Sequence, residues 1–317
     1  MGGSSISSSE MRSYYSSNSH VTKAKDASEV FKASCMLDEF NPAKMKLPRE
    51  ACDSAASPRS RGIIFAEDVT GSMDVFLLSL IQKEFPELIK RTYDTVSYDP
   101  HIMFMGVGDV AAGDRAPLQV TQFETDLRML DQLQKIYLEG HGGGNGSESY
   151  ILPWYFAAKH TKMDCYEKRG KKGFLFTFGD DGPTPRLTSS DVNRVFEDNS
   201  SLETRLLSPE DCLEMASEKF YCYHIILRGK AYSRRVVDEW YNFMGSHVCD
   251  LSNHHYLPEL VTTILAMYEG FTKTAALDKI ESTDARRVVK DALKWHEETV
   301  TDDTVFIDKS KANIEVF

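Results

Sequence analysis

The chain has 317 residues, of which 41% are hydrophobic and 27% are charged, a composition typical of a globular protein with one large domain or two small ones. Its formal net charge of −11 argues against an extended nucleic-acid surface, because phosphate contacts need clustered Lys and Arg. No apolar run approaches the roughly 20 residues needed to cross a bilayer, and the first residues, MGGSSISSSE, lack the features of a secretory signal. The six cysteines are scattered without a C-x-x-C pair, so we expect reduced thiols in a cytoplasmic protein, with a virion component as the alternative.

Residues 1–61 differ in composition from the rest of the chain. Nine of the first twenty residues are serines, and apolar periodicity is absent apart from a short helical pattern near residues 28–31. Segments that bury little apolar surface are disordered or depend on another surface for their order. We therefore expect an irregular N-terminal arm that is either disordered or lies over the main domain, or that supports self-association by lying over a neighbouring subunit.

From residue 62 onward, apolar runs of strand length alternate with helical periodicity. The predicted strands are residues 62–67, 101–107, 117–123, 173–178, 220–227 and 247–251. The predicted helices are residues 75–91, 126–138, 149–161, 209–219, 233–243 and 258–269, with a kink expected at Pro86. This alternation predicts an α/β fold: a doubly wound, mostly parallel six-stranded sheet with helices on both faces. The domain spans residues 62–270, and residues 271–317 form an extension with one more helix, 283–298, and a polar tail.

The sharpest chemical signal lies between the first predicted strand and the first predicted helix. There Asp68, Thr70 and Ser72 stand at alternate positions, so that one acid and two hydroxyls converge as the chain turns. Hard oxygen ligands together with water suit Mg²⁺, with Mn²⁺ or Ca²⁺ as alternatives. Because the dipole at a helix N-terminus disfavours a cation, further carboxylates must outweigh it.

Two later turns supply such carboxylates. Asp180 and Asp181 follow the fourth predicted strand, which in a doubly wound sheet lies beside the first, where ligands collect. Glu148 ends a glycine-rich loop, residues 142–148, that opens the helix before that strand. Three segments distant in sequence therefore direct oxygen ligands to one place. We favour Asp180 over Asp181 because Asp180 comes sooner after the apolar run, although the register allows either.

The D-x-T-x-S string of Asp68, Thr70 and Ser72 resembles the metal-ion-dependent adhesion site of von Willebrand factor A (VWA) domains, and the order of elements over residues 62–270 is similar to that Rossmann-like fold. The Gly-x-Thr-x-Thr loop of many VWA domains is missing here. Residues 142–148 resemble instead the loop of integrin β-chain domains, in which an acid takes the place of the threonine ligand. The resemblance implies that Glu148 is the ligand from this loop, and that Asp180 or Asp181 is the last acid of the site. Asn145 stands where those domains have an Asp for an adjacent metal, which argues against a second ion there.

The same resemblance implies a mode of action. Hydroxyls and one acid bind the ion directly, other carboxylates bind it through water, and one position stays open for an Asp or Glu of a partner protein. The expected function is thus metal-dependent protein binding without catalysis, and neither a membrane nor a nucleic acid is the expected partner. Residues 117–124, 147–150 and 167–174 are also similar to uncharacterised VWA proteins of bacteria and their phages.

Other interpretations of these residues remain. Without a metal, Asp68 or Thr70 would cap the following helix. A phosphatase of the haloacid dehalogenase type also begins with an acid after its first strand, but it needs a second acid where Thr70 stands. A structural protein, such as a virion or assembly component, would use the fold only as a scaffold. His254 and His255 are adjacent, and since adjacent side chains diverge in most backbones, we interpret them as part of a surface loop.

Overall fold

The computed structural model describes residues 6–140, 146–184, 186–197 and 207–300, apart from the side chains of residues 74 and 75. These residues form a central six-stranded sheet with helices on both faces and two small two-stranded sheets beside it. The strands are, in chain order, β1 (Arg49–Ala51), β2 (Ser60–Asp68), β3 (Asp99–Val107), β4 (Leu118–Val120), β5 (Ser147–Glu148), β6 (Thr161–Met163), β7 (Gly173–Gly179), β8 (Gly182–Pro183), β9 (Phe220–Leu227) and β10 (Val248–Leu251). The α-helices are α1 (Ser8–Ser17), α2 (Ser19–Lys23), α3 (Asp74–Ser79), α4 (Phe85–Thr95), α5 (Arg128–Leu133), α6 (Ile151–His160), α7 (Asp164–Arg169), α8 (Ser189–Phe196), α9 (Pro209–Ser217), α10 (Arg234–Met244), α11 (Leu257–Tyr268), α12 (Lys273–Asp278) and α13 (Thr283–Ala292).

The central sheet has the strand order β10–β9–β7–β2–β3–β4, and every neighbouring pair is parallel except β3 and β4. The chain adds β3 and β4 on one side of β2 and then returns to add β7, β9 and β10 on the other. A sheet that grows in both directions from its centre has a crevice at the carboxyl ends of its two central strands. The predicted α/β, doubly wound fold is confirmed, and the third strand, Leu118–Val120, is shorter than predicted.

Two hydrophobic cores lie on the two faces of this sheet. Side chains alternate along β2, where Ile63 and Phe65 belong to one core and Ile64 and Ala66 belong to the other. All nine residues of β2 are buried, as expected of a central parallel strand that is covered on both faces. The first core includes residues of α3, α4, α5, α11 and α13, and the second includes residues of α6, α8, α9 and α10. This double cover holds the carboxyl ends of β2 and β7 in place.

The helix after β2 is interrupted by a π turn. Helix α3 leads into the π turn Leu80–Glu84, in which the N–H of Phe85 donates to the carbonyl of Leu80, and α4 follows. Because Pro86 has no N–H, it cannot continue the regular helical ladder, and one widened turn accommodates the break. The irregularity predicted at Pro86 is therefore a π turn on its N-terminal side.

Helix α5 is shorter than the predicted helix at residues 126–138. After α5, the backbone N–H of Tyr137 donates to Oε1 of Gln119 at 2.8 Å, and Nε2 of Gln119 donates to the carbonyl of Tyr137 at 2.8 Å. Gln119 is a buried residue of β4. These two bonds to a neighbouring strand take the place of helical ones, so tertiary contacts end the helix earlier than its apolar periodicity predicts.

The N-terminal arm contains more regular structure than its composition predicts. Helix α1 begins with a capping box, in which Ser7 and Glu10 each accept a hydrogen bond from the backbone N–H of the other. Val21 and Phe31 are buried in the first core, and the side chain of Gln82 donates to the carbonyl of Val21 at 2.7 Å. Strand β1 pairs in parallel with β6. The described part of the arm therefore lies over its own domain, which is one of the positions expected for it.

The extension after α11 packs on the first core. Leu277 of α12 and Val288 and Val289 of α13 are buried together with residues of α11. Helix α13 ends at Ala292, earlier than predicted, and the predicted polar tail beyond residue 300 lies outside the described residues. In the part of the chain that the structure describes, no helix combines the length and the apolar character that a membrane span needs.

Candidate metal centre

The first and last predicted site residues meet at the carboxyl ends of the two central strands. Asp68 is the last residue of β2, and Asp180 directly follows β7. The two strands pair in parallel with Glu67 opposite Phe178, so both acids start turns at the same edge of the sheet. Asp68 and Asp180 are both 0% exposed. Sheet topology thus brings the two acids to one end of the crevice, as the strand order predicted.

The turn after β2 holds its polar side chains in a tight arrangement. Both the backbone N–H and the hydroxyl of Thr70 donate to Oδ1 of Asp68, at 2.8 and 2.6 Å. The hydroxyls of Thr70 and Ser72 lie 3.4 Å apart. An aspartate that accepts from the residue two positions later forms an Asx turn, which explains why the chain turns here at low cost. The acid and the two hydroxyls therefore point to a common position.

Asp180 closes this arrangement from the neighbouring strand. The hydroxyl of Ser72 donates to Oδ1 of Asp180 at 2.7 Å, and the backbone N–H of Ala231 donates to its Oδ2 at 2.8 Å. A Cβ atom at Gly229 would lie only 2.2 Å from Oδ2 of Asp180, so a glycine is needed for this approach. Of the two acids in the turn, Asp180 is the one that contacts the Asp68 loop. The neighbouring Asp181 is held through its backbone, because its carbonyl accepts a hydrogen bond of 2.9 Å from the indole N–H of Trp240.

Glu148 approaches from the third segment. Strand β5 pairs in parallel with β8, and the hydroxyl of Thr184 donates to the backbone carbonyl of Glu148, so this segment is held against the turn after β7. The Glu148 side chain is 2% exposed, and its Oε2 has no hydrogen-bond partner among the described residues. The rest of the predicted loop, residues 142–145 with Asn145, lies outside the described residues. A buried carboxylate oxygen without a partner is costly, and a cation is one way to satisfy it.

Burial and neighbouring carboxylates raise the pKa of three acids at the candidate site. Burial, together with the nearby charge of Asp180, raises the pKa of Asp68 to about 7. The hydrogen bonds from Thr70 and Tyr150 lower this pKa but do not cancel the effect of burial. Burial raises the pKa of Glu148 to about 10, and the charges of Asp68 and Asp109 act in the same direction. Burial and the charge of Asp180 raise the pKa of Asp181 to about 6. In all three cases the neighbouring charges that raise the pKa are carboxylates, which is the environment that a divalent cation would relieve.

The described residues fit a cation held mainly through hydroxyls and water. The oxygens of Asp68, Glu148 and Asp180 do not form a group in which all ligand atoms lie within 4.8 Å; in the described residues, only Glu84, His254 and His255 form one. The hydroxyls of Thr70 and Ser72 lie between the two aspartates: Thr70 bonds to Asp68, and Ser72 bonds to Asp180. Mg²⁺ keeps several waters in its shell, so acids that are too far apart for direct binding can still act through water.

Sequence reasoning missed Tyr150. Its hydroxyl donates to Oδ2 of Asp68 at 2.8 Å, and its ring is fully buried against His224 and Trp240, with ring centroids 4.9 and 5.6 Å away. A Cβ atom at Gly179 would lie 1.8 Å from the Tyr150 oxygen, so only glycine permits the contact. The one sequence signal for this contact is Gly179, which stands directly before Asp180 at the end of a predicted strand. A glycine there indicates that another group comes close to the backbone, but it does not indicate which side chain does so.

Sequence reasoning also missed Lys230. Its ammonium donates to the carbonyl of Gly71 at 3.2 Å, from the loop after β9. The basic run at residues 228–235 has the composition of a solvated turn, and Lys230 is indeed exposed. Its position nevertheless gives the rim of the candidate site a positive charge beside a largely acidic interior.

No family model matches the chain, and no curated protein matches it. Among solved structures, the chain is similar to the pilus adhesin SpaC from Lactobacillus rhamnosus GG in its open conformation, with a TM-score of 0.43 and 8% sequence identity. The match covers 71% of this chain and 31% of the adhesin chain, so this chain corresponds to about a third of that protein's length.

Proposed function

We propose that this chain is a protein-binding module that holds one divalent cation, Mg²⁺ in the first place, with Asp68, Thr70, Ser72, Glu148 and Asp180. The single observation that carries the proposal is the unbroken set of contacts from Asp68 through Thr70 and Ser72 to Asp180 across two neighbouring strands. The D-x-T-x-S resemblance to the VWA adhesion site supports the same assignment. When bound, the ion supplies a Lewis-acidic position for a carboxylate of the partner.

Four of the five residues of the proposed site are already oriented by hydrogen bonds before any partner arrives. Thr70 and Ser72 offer hydroxyl oxygens that are already oriented by Asp68 and Asp180. Tyr150 orients Asp68, and the N–H of Ala231 orients Asp180, since each donates to the carboxylate oxygen that faces away from the hydroxyls. Ligands that are held in this way lose little conformational entropy on binding, which favours affinity.

The surroundings favour an acidic group as the partner's contact. Lys230 contributes a positive charge at the rim, 3.2 Å from the Gly71 carbonyl of the metal-binding turn. A carboxylate that approaches the site meets this charge before it reaches the buried acids. Charge complementarity of this kind selects a partner and accelerates encounter more than it adds affinity.

A binding role accounts for these residues better than catalysis does. The residue two positions after Asp68 is Thr70, whose hydroxyl is committed to a 2.6 Å bond with Asp68. A phosphatase of the haloacid dehalogenase type needs an acid there to protonate its leaving group. We therefore propose that the site binds and does not catalyse.

Calorimetric titration with Mn²⁺ and Mg²⁺ tests the metal site. We expect one ion per chain, with binding abolished in Asp68→Ala and retained in Asp94→Ala, which removes an exposed acid of α4. Mn²⁺ also enhances the relaxation of water protons through its open coordination position, and saturating acetate should reduce that enhancement. Absence of metal binding would favour the scaffold interpretation, whereas metal binding without an effect of acetate would contradict the acid-accepting role.

A further inference from the structure

A second group of metal-ligating side chains lies outside the site at Asp68. Glu84, His254 and His255 each place one possible ligand atom within 4.8 Å of the others, and no other Asp, Glu, His or Cys group in the described ranges is as close. Glu84 is the last residue of the π turn Leu80–Glu84. The histidines open the 3-10 turn His254–Tyr256, between β10 and α11. Segments about 170 positions apart in the chain thus meet through these three side chains.

Glu84 is a buried carboxylate that the π turn directs at the histidines. It is 3% exposed, and the hydroxyl of Ser79 bonds to its Oε1 and Oε2 at 3.1 and 2.9 Å. Its Oε1 lies 2.6 Å from Nδ1 of His255. A π turn changes the direction of the following side chains relative to a regular helix, and such turns are frequent at functional sites. The carboxylate is therefore preorganised and faces an imidazole nitrogen.

The two imidazole rings do not diverge as their adjacent positions in the sequence predicted, although the exposure of His255 agrees with its interpretation as part of a surface loop. Their centroids are 4.1 Å apart, and the ring of His254 also packs on Phe76 at 4.7 Å. The 3-10 turn brings the two adjacent rings to the same side. Nε2 of His254 is buried and has no hydrogen-bond partner among the described residues. A buried ring nitrogen without a partner needs an explanation, and a bound ion supplies one.

We propose that Glu84, His254 and His255 form a transition-metal site that binds Zn²⁺ or an ion of similar chemistry, independent of the oxygen site at Asp68. Two imidazole nitrogens and one carboxylate oxygen are ligands typical of Zn²⁺, whereas Mg²⁺ prefers oxygen alone. The ion replaces the proton that lies between His255 and Glu84. Tetrahedral bonds of about 2.0 Å hold two ligand atoms about 3.3 Å apart, so that contact opens by roughly 0.7 Å.

The surroundings of the three side chains leave a route for an ion from solvent and suit a structural role for it. The side chain of His255 is 51% exposed, which opens a route from solvent, while Glu84 lies at the buried end. A metal held by both segments cross-links the helix that starts at the Asp68 turn to the segment that starts α11. The inference rests on these three side chains and not on the proposed function.

Calorimetric titration with Zn²⁺ tests the proposal, in a Cys35→Ser background because thiolates are Zn²⁺ ligands and the thiol of Cys35 is exposed. We expect one ion per chain, and an affinity at least about tenfold lower in Glu84→Gln, His254→Ala and His255→Asn. Asp68→Ala and His20→Ala, the latter an exposed histidine of α2, are controls that keep the affinity. Substitution with Co²⁺ gives a second readout, since its visible spectrum reports nitrogen ligation and should change in His255→Asn.

Each outcome decides for or against the site. Zn²⁺ binding that falls in the three variants and survives in both controls supports it. No Zn²⁺ binding, or binding that persists in His255→Asn and Glu84→Gln, overturns it. Loss of Zn²⁺ binding in Asp68→Ala with no change in the three variants also overturns it, because the ion then occupies the other site. His255 is exposed, so His255→Asn should fold, and far-ultraviolet circular dichroism checks this for every variant.

Discussion

The hydroxyl of Tyr150 donates a hydrogen bond of 2.8 Å to Oδ2 of Asp68, although 82 positions separate the two residues in the chain. Helix α6 begins directly after Tyr150, and the burial of its ring against Trp240 fixes where the hydroxyl points. One carboxylate oxygen of Asp68 is therefore already hydrogen-bonded to a residue of the second core before the proposed metal site is filled. The first prediction follows from this pair.

Replacing Tyr150 with Phe should weaken metal binding by about tenfold without abolishing it, the size expected when an orienting partner of a ligand is lost. The hydrogen bond lowers the pKa of Asp68, so its loss should also move metal binding to higher pH. Mn²⁺ calorimetry at several pH values measures both effects. The control is Tyr241→Phe, which keeps the ring that packs on Trp295, with ring centroids 4.5 Å apart. Equal Mn²⁺ affinity in wild type and Tyr150→Phe would show that the bond does not orient Asp68.

The segments that supply the proposed hydroxyl ligand Ser72 and the proposed acid ligand Glu148 should differ in their effect on metal affinity. Ser72→Ala removes both a proposed ligand and the donor to Asp180, so we expect it to abolish Mg²⁺ and Mn²⁺ binding while the fold is retained. Glu148→Ala should weaken binding by a smaller factor. Calorimetry with Mn²⁺ compares the two, with Ser190→Ala on the exposed side of α8 as the control. Wild-type affinity in Glu148→Ala would remove Glu148 from the proposed ligand set.

Gly229→Ala should reduce metal affinity at least about tenfold by displacing Asp180, because its Cβ would lie 2.2 Å from Oδ2 of that acid. A double-mutant cycle with Asp180→Ala separates this effect from a general change of the loop. If Gly229→Ala acts through Asp180, adding it to Asp180→Ala causes no further loss of metal affinity. An additive loss in the double variant would mean that Gly229 matters for another reason.

The pH dependence of stability should report the buried carboxyls. The folded-state pKa values of Asp68, about 7, and Asp181, about 6, lie above the ordinary value of 3.8. The folded protein then binds more protons than the unfolded chain between about pH 4 and pH 7, so these groups lower stability as pH rises through that window. Buried histidines such as His247, whose pKa is lowered to about 3, act in the opposite direction, so the total trend mixes both effects.

A comparison of variants isolates the carboxyl contribution. The stability of metal-free Asp68→Asn relative to wild type should increase from pH 5 to pH 8, by on the order of 1 to 3 kcal/mol. Stabilisation of the wild type by Mg²⁺ should increase over the same range, because the ion competes with protons for the site. Urea unfolding with Mg²⁺ or with a chelator measures both quantities. A constant difference between the two proteins across this range would contradict the raised pKa of Asp68.

The N-terminal arm should stabilise its own domain. Val21 is fully buried in the first core, so Val21→Ala should lower the free energy of unfolding by about 1 to 3 kcal/mol. Thr22→Ala, at an exposed position of the same helix, should have little effect. Urea denaturation at two protein concentrations measures the change. If the arm instead crosses to a neighbouring subunit, the effect of Val21→Ala would depend on protein concentration.

Local pattern was sufficient to predict most of the sheet and much of the candidate site. Apolar runs placed the strands that became β2, β7 and β9 close to their observed bounds, because a buried parallel strand is apolar along its whole length. The position of Asp68 and Asp180 at strand ends then followed from the doubly wound order. Local pattern failed where a distant contact overrode it, as for helix α5, which Gln119 ends early.

By itself, the sequence determined which residues are buried strands, where polar turns interrupt them, and that one turn carries an acid and two hydroxyls at alternate positions. Periodicity and turn chemistry are local properties, so they can be read along the chain. Only the tertiary structure decided that Asp180 contacts Ser72, that Tyr150 orients Asp68, and that Glu84 meets the paired histidines. These contacts join segments far apart in sequence, and they depend on how two cores pack against one sheet, which no local pattern encodes.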